Sequence, residues 1–297
     1  MNKLAQAMKS GRQVVTAECL PAHGADAEAI KRLSAALPPG LDAVVVADNP
    51  DEVRGSALAT AALLAGEGRS SILSLATRDR NRIALESDAL GAATLNISAV
   101  LCLSGDHQSL GLSPQAAGAN DIDSIQFTQA LKNMVLTGNG FSGKSLAKKP
   151  TLLVGAVAHP YQKPMELNLL RLKKKIAAGA DLIFTQAVFD LEGFTHWMEA
   201  VCTAGLDRQA AIIPSVMPLT SVEKARMLQQ RKTYGPIGDD TIERITKSRD
   251  AAAEGVAIAS QMAARLKQIP GVRGIHILSG GCESLAAAIV RQAELVQ

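Results

Sequence analysis

The sequence predicts an α/β fold of the (β/α)8 TIM-barrel type, a single domain over residues 1–297 with extra helices before the last strand. Three observations carry that reading. Short apolar, β-branched runs alternate with longer helical patterns along the whole chain. Several of those runs, such as AVVVA and LLVGAV, are apolar throughout, as parallel strands covered on both faces must be. Hydrophobic residues make up 47% of the chain and aromatics only 3%, so Ala, Val, Ile and Leu have to fill the interior in layers, as they do in a barrel. No GxGxxG follows the first run, which counts against an open dinucleotide-binding sheet.

Taken in order, the strands are expected at Val14–Leu20, Ala43–Ala47, Ser71–Ala76, Ala99–Leu103, Leu152–Val157, Leu182–Thr185, Ala211–Pro214 and Gly274–Leu278. The intervening helices are expected at Asp26–Ala36, Asp51–Gly66, Arg80–Leu95, Ile122–Met134, Met165–Ala178, Leu191–Ala204 and Ser221–Gln230, with a final one at Glu283–Val296. Asp239–Ser248 and Ala251–Lys267 read as the extra helices. In Met165–Ala178 the apolar residues Leu167, Leu170, Leu172 and Ile176 approximate a buried stripe, and Lys173, Lys174 and Lys175 sit near the end that favours cations. Thr137–Pro150, with three glycines, reads as a flexible loop.

The bulk numbers exclude several classes. A formal charge of +3 with scattered Lys and Arg does not make a nucleic-acid surface, and a small anionic ligand is the better inference. Cys19, Cys102, Cys202 and Cys282 form no CxxC pair, so neither a zinc ribbon nor a disulfide framework is expected, and no HxH or HExxH spacing suggests a metal. No signal-peptide run or membrane-length apolar stretch is present, which makes the cytoplasm the expected location.

In a barrel of this kind the chemistry sits at the carboxyl ends of the strands, so the polar residues just after each run are the ones to weigh. They are Glu18; Asp48 and Asn49; Thr77, Arg78 and Asp79; Ser104, Gly105, Asp106 and His107; His159; Gln186; and Ser215. Taken singly, each has an ordinary structural reading: a carboxylate paired with a nearby cation for Glu18, a turn aspartate for Asp106, a loop-satisfying amide for Gln186. Arg78 or Asp79 is expected to face the site, or Asp79 to cap the helix starting at Arg80.

The stretches VTAECLP, ATRDRNRIALESDALGA, LCLSGDHQ, VGAVAHP, LNLLRLKKKIAAGADLIFTQAVFD and IIPSVMPL, with GIHILSGG more weakly, resemble in order the signatures of methylenetetrahydrofolate reductases. The RDRN and SGDHQ forms look most like the family's short, catalytic-domain-only prokaryotic branch. The resemblance implies flavin-dependent reduction of 5,10-methylenetetrahydrofolate, or a related tetrahydropterin, to its 5-methyl form. Glu18 then matches the general acid that protonates the departing nitrogen, and Asp106 an aspartate beside the flavin that also binds the pterin. Gln186 matches an amide on the pterin edge. Ser104, Gly105, Asp106, His159, Asn168, Arg171, Lys174 and Lys175 match flavin contacts, which implies FAD, with FMN the alternative. Lys224 matches a folate-contacting position or is a surface lysine. The electron donor implied is NAD(P)H or a reductant delivered by a partner subunit, and self-association into a homo-oligomer is expected.

Two departures stand out. The helix at 222–228 has Met227 and Leu228 where many relatives carry a folate-stacking phenylalanine, and the last βα turn has Gly281 where many carry a basic residue. Two other readings stay open: a barrel methyltransferase passing a methyl group between a tetrahydropterin and a corrinoid protein, and a non-catalytic pterin-binding subunit.

Overall fold

A computed structural model describes residues 3–50, 52–111, 113–231 and 235–296. Eight parallel strands close into a barrel in sequence order, β1 Val14–Cys19, β2 Ala43–Val46, β3 Ser71–Ala76, β4 Ala99–Leu103, β5 Leu153–Ala158, β6 Leu182–Ala187, β7 Ala211–Val216 and β8 Gly274–Ile277, with β8 pairing back onto β1. The helices are α1 Lys3–Ser10, α2 Ala27–Ala36, α3 Ala57–Gly66, α4 Arg82–Thr94, α5 Ser124–Thr137, α6 Met165–Ala177, α7 Leu191–Thr203, α8 Val222–Arg231, α9 Asp239–Lys247, α10 Ala251–Leu266 and α11 Ser284–Gln292. The predicted fold is thus the observed one, and α9 and α10 are the extra helices ahead of β8.

Period-two alternation sorts the strand residues into two cores. Val15, Ala17 and Cys19 of β1 point outward into the layer shared with the helices, as do Val44 and Val46 of β2. Val14, Ala43, Val45, Ile72, Leu101, Leu182, Phe184 and Ile213 point inward and fill the barrel. The same parity aims the next inward position of each strand, Glu18 on β1 and Gln186 on β6, at the upper opening.

Four differences from the expected elements have local causes. α1 was not anticipated: it is one short amphipathic stretch whose Leu4, Ala7 and Met8 join the inner core and cover the amino-terminal end of the barrel. α3 begins at Ala57, because the Ser56 hydroxyl accepts from the Ala59 N–H and caps it there; Asp51, the expected start, lies outside the described residues. α4 is capped by Asn81, whose side chain accepts from Ala84 N–H, which leaves Arg80 and Asp79 in the preceding loop. The stretch expected as a flexible loop at 137–150 is a tight reversal instead. Asn139 and Ser145 form an antiparallel bridge, Gly140 and Lys144 pair at 2.8 Å, and Phe141 anchors the turn by packing edge-on against Phe127 and donating its N–H to Glu86 at 3.0 Å.

No helix among the described residues is long and apolar enough to cross a membrane.

Candidate active site

The upper barrel opens into a cavity of about 450 Å³. Its walls are the inward side chains of the strand ends: Val45, Ala76, Leu101, Leu103, Val157 and Leu278 supply apolar surface, while Glu18, Gln186 and Ser215 supply polar groups. Below them lies a middle layer in which Phe184 meets His276 edge-on, ring centroids 5.2 Å apart. His276 Nδ1 is 2.9 Å from Thr16 Oγ1, and burial pushes its pKa down to about 3, so the ring is neutral. The floor of the cavity therefore carries no charge.

Glu18 stands at the top of β1 against the turn that follows β8. Its Oε2 lies 3.3 Å from Ser279 Oγ and accepts from the Gly280 N–H at 3.3 Å. Among the described residues it has no Lys, Arg or His partner, so the cation-paired reading of this carboxylate does not hold. Burial raises its pKa, the charge of Glu283 adds to that, and the two hydrogen bonds oppose it. The outcome is a carboxyl group biased toward its protonated form inside an apolar wall.

Gln186 owes its position to an irregularity. The β6–β7 ladder shifts register between Phe184 and Ala187, and Ser215 Oγ bridges the gap by donating to the Thr185 carbonyl at 2.5 Å. The Gln186 side-chain amide makes no hydrogen bond among the described residues, leaving both its donor and its acceptor facing the cavity.

Asp106 lies across the opening, after β4. Its neighbour Gly105 has φ +77°, and a β-carbon there would come within 3.0 Å of Arg78 Cβ, so the chain passes this point only as glycine. Arg78 braces the loop by donating to the Asp106 and Asn49 carbonyls at 3.0 and 3.2 Å, and it is paired with Asp79 at 2.6 Å. Arg78 thus lines the cavity, while Asp79 holds Arg78 instead of capping α4. The Asp106 carboxylate makes no hydrogen bond among the described residues; Ser104 Oγ donates to Ser124 Oγ at 2.9 Å.

The cationic side comes from α6. Lys175 reaches in from the helix, donates Nζ to the Val157 carbonyl at 2.6 Å and has no carboxylate partner among the described residues; burial lowers its pKa, and the charge of Arg171 lowers it further. Arg171 is exposed and donates to Gln162 Oε1 at 2.9 Å. His159 is held neutral, its pKa lowered by burial and by the Lys175 charge. Asn168 is buried and spends its amide on the chain: Nδ2 donates to the His159 carbonyl at 2.6 Å and to the Gln162 carbonyl at 3.0 Å, and Oδ1 accepts from Trp197 Nε1 at 3.3 Å. It shapes the loop after β5 rather than offering a free group.

The structure therefore brings Glu18, Ser104, Gly105, Asp106, His159, Asn168, Arg171, Lys175 and Gln186 around one cavity. Lys174 and Lys224 lie outside its lining. Lys174 is exposed on the outer face of α6, and Lys224 Nζ donates to the Gly280 carbonyl at 3.2 Å beside the Glu18 turn. Leu228 is buried among α8, α9 and α10, and Met227 is 41% exposed. Two groups have partners that the sequence did not indicate. The Asp48 carboxylate accepts from the Ala76 N–H at 2.9 Å and pairs with Arg80, which also binds Asp88, tying the ends of β2 and β3 to α4. The Ser279–Glu283 turn is the other; its only trace in sequence is the glycine pair after β8.

Residues 3–294 match the family model described as methylenetetrahydrofolate reductase. The chain belongs to the methylenetetrahydrofolate reductase family. Among named relatives, 5,10-methylenetetrahydrofolate reductase of Escherichia coli K12 is 35% identical over 68 residues, 23% of this chain and 22% of that protein. Methylenetetrahydrofolate reductase 2 of Saccharomyces cerevisiae is 44% identical over 59 residues, 20% of this chain and 10% of the relative. The matched stretches thus span between a tenth and a quarter of those relatives. A solved structure from Clostridium thermocellum, described as an uncharacterized protein that binds two copies of 5-methyl-5,6,7,8-tetrahydrofolic acid, superposes with a TM-score of 0.65 over 98% of both chains at 14% identity. That likeness shows a shared fold. The methylenetetrahydrofolate reductase assignment fits the gathering of Glu18, Asp106 and Gln186 at the carboxyl ends of the strands.

Proposed function

We propose that this protein is a flavin-dependent reductase that converts 5,10-methylenetetrahydrofolate, or a closely related tetrahydropterin, to the 5-methyl form. The observation that carries the reading is the convergence of an acid without a cation, an unengaged amide and an unengaged carboxylate, Glu18, Gln186 and Asp106, on one apolar-walled cavity. Opening the methylene bridge leaves a nitrogen that must take a proton, and a carboxyl held protonated by burial supplies it. Gln186 orients the pterin edge by donating and accepting at once. Asp106 sets a negative charge at the mouth, opposite the cations of α6.

The residues suit a flavin. Lys175 is a half-buried cation without a carboxylate partner among the described residues, Arg171 lies one turn before it, and the Gly105 backbone permits close approach. Ser104, Gly105, Asp106 and His159 would hold the ring system, and Arg171 and Lys175 a phosphate-bearing tail, which favours FAD over FMN. When bound, the flavin supplies the hydride, replenished by NAD(P)H or by a partner subunit.

The test is the absorbance spectrum of the purified protein. A yellow protein whose flavin bleaches with an electron donor and recovers its colour on adding 5,10-methylenetetrahydrofolate is the expected result. A colourless protein that refuses added flavin overturns the flavin part, and folate binding without redox chemistry would favour the methyltransferase reading.

A further inference from the structure

Glu18 and Glu283 approach the same hydroxyl. Ser279 Oγ lies 3.3 Å from Glu18 Oε2 and 3.4 Å from Glu283 Oε1. A serine hydroxyl has one proton to donate and lone pairs with which to accept. Both contacts are hydrogen bonds only if one of the two carboxyl groups is itself protonated and donates to the serine.

The surroundings decide which one. Glu283 is half-buried at the amino terminus of α11, where the helix dipole favours an anion, and its Oε1 accepts the Leu20 N–H at 3.2 Å. Glu18 looks into the apolar cavity. The other groups near it do not alter the balance. Lys224 on α8 is spent on the Gly280 carbonyl, His276 one layer down on β8 is neutral and bound to Thr16, and Cys19 on β1 is buried and un-ionised. The amide of Gln186 on β6 carries no charge.

We infer that Glu283 is a positioning residue which, through Ser279, holds Glu18 in its acid form and returns a proton to it after each turnover. The chain at rest runs from the Glu18 O–H to Ser279 Oγ, and from the Ser279 O–H to Glu283 Oε1. After Glu18 gives its proton to the substrate nitrogen, Glu283 takes one from water at its exposed flank. Ser279 then passes its own proton to the Glu18 carboxylate and receives that of Glu283, so no net charge is left behind. This inference rests on Glu18 as the proton donor, and the experiment below does not depend on turnover.

The infrared carboxyl stretch of Glu18, identified as the band missing from Glu18→Gln, is followed against pH in the substrate-free protein. Glu283→Gln is expected to lower the midpoint at which the band disappears by on the order of one pH unit, because an amide there no longer draws the Ser279 proton, which turns to Glu18 and favours its carboxylate. Glu283→Asp is expected to restore it, and the shift is expected to shrink when Ser279 is already alanine. Equal midpoints in wild type and Glu283→Gln, whatever happens to thermal stability, overturn the inference; an undiminished shift in the Ser279→Ala background overturns the part given to the hydroxyl. If instead Glu18→Gln retains full turnover while the midpoints move as expected, the reductase chemistry assigned to Glu18 fails and the carboxyl pair stands.

Discussion

Replacing His276 by asparagine is expected to flatten the acid side of the protein's stability profile. The imidazole is buried in the middle layer, beside Thr16 and edge-on to Phe184, and its folded-state pKa is about 3 against an ordinary 6.5. As pH falls through 6.5 the unfolded chain takes up a proton that the folded chain refuses, so stability present at neutral pH is lost on the way down. Between about pH 7 and about pH 4 the linkage relation gives a loss of roughly 3 kcal/mol from this one group, at about 1.4 kcal/mol per unit of pKa difference. Asparagine keeps an acceptor near the Nδ1 position for the Thr16 hydroxyl but has nothing to titrate. Its missing ring volume lowers stability by the same amount at every pH, and the other titrating groups are common to both proteins and cancel. Urea unfolding at several pH values in that window measures the difference directly. If wild type and His276→Asn lose stability in parallel, His276 is not a buried neutral ring, and the uncharged floor described for the cavity is wrong.

Other expected outcomes follow from the same geometry. Glu18→Gln is expected to lower turnover by about 10²- to 10⁴-fold while retaining flavin. Because the folded-state pKa of Glu18 is raised, wild-type stability falls as pH rises through it, so the same variant gains thermal stability over wild type in alkaline buffer, and this margin closes in acid. Asp48→Asn leaves Arg80 without its buried partner and is expected to destabilise the fold by about 3 kcal/mol or more by urea titration; a loss under about 1 kcal/mol would show that the Asp48–Arg80–Asp88 network is dispensable. Lys175→Met is expected to weaken calorimetric binding of ADP, a probe for a diphosphate tail, by about tenfold or more, whereas Lys174→Met, on the exposed face, leaves it unchanged.

Much of this architecture was legible before any coordinates. Runs such as AVVVA and LLVGAV can be buried on both faces only in a parallel sheet, and all eight fall within a residue or two of their strands. Glu18 was also legible, because a polar residue that ends an apolar strand is aimed by the pleat; Gln186 was legible as a strand-end amide, though the register shift that sets it was not. Lys174 and Lys175 show the limit. Adjacent positions on a helix face about 100° apart, so only one of two neighbouring lysines enters the cavity, and the sequence contains nothing that says which. α1 was missed because an eight-residue helix has too few turns for a clear period, and its burial depends on a barrel mouth formed by residues far along the chain. The Ser279–Glu283 turn was missed for a related reason: its partner, Glu18, is more than 260 residues away.

Because inward side chains fill the lower barrel and α1 only covers its end, the barrel is a cup with one mouth. Whatever enters last must leave first, so any two ligands stacked in it can exchange only in a fixed sequence. Deleting residues 1–10 would bare apolar side chains at the base, yet open no second way in.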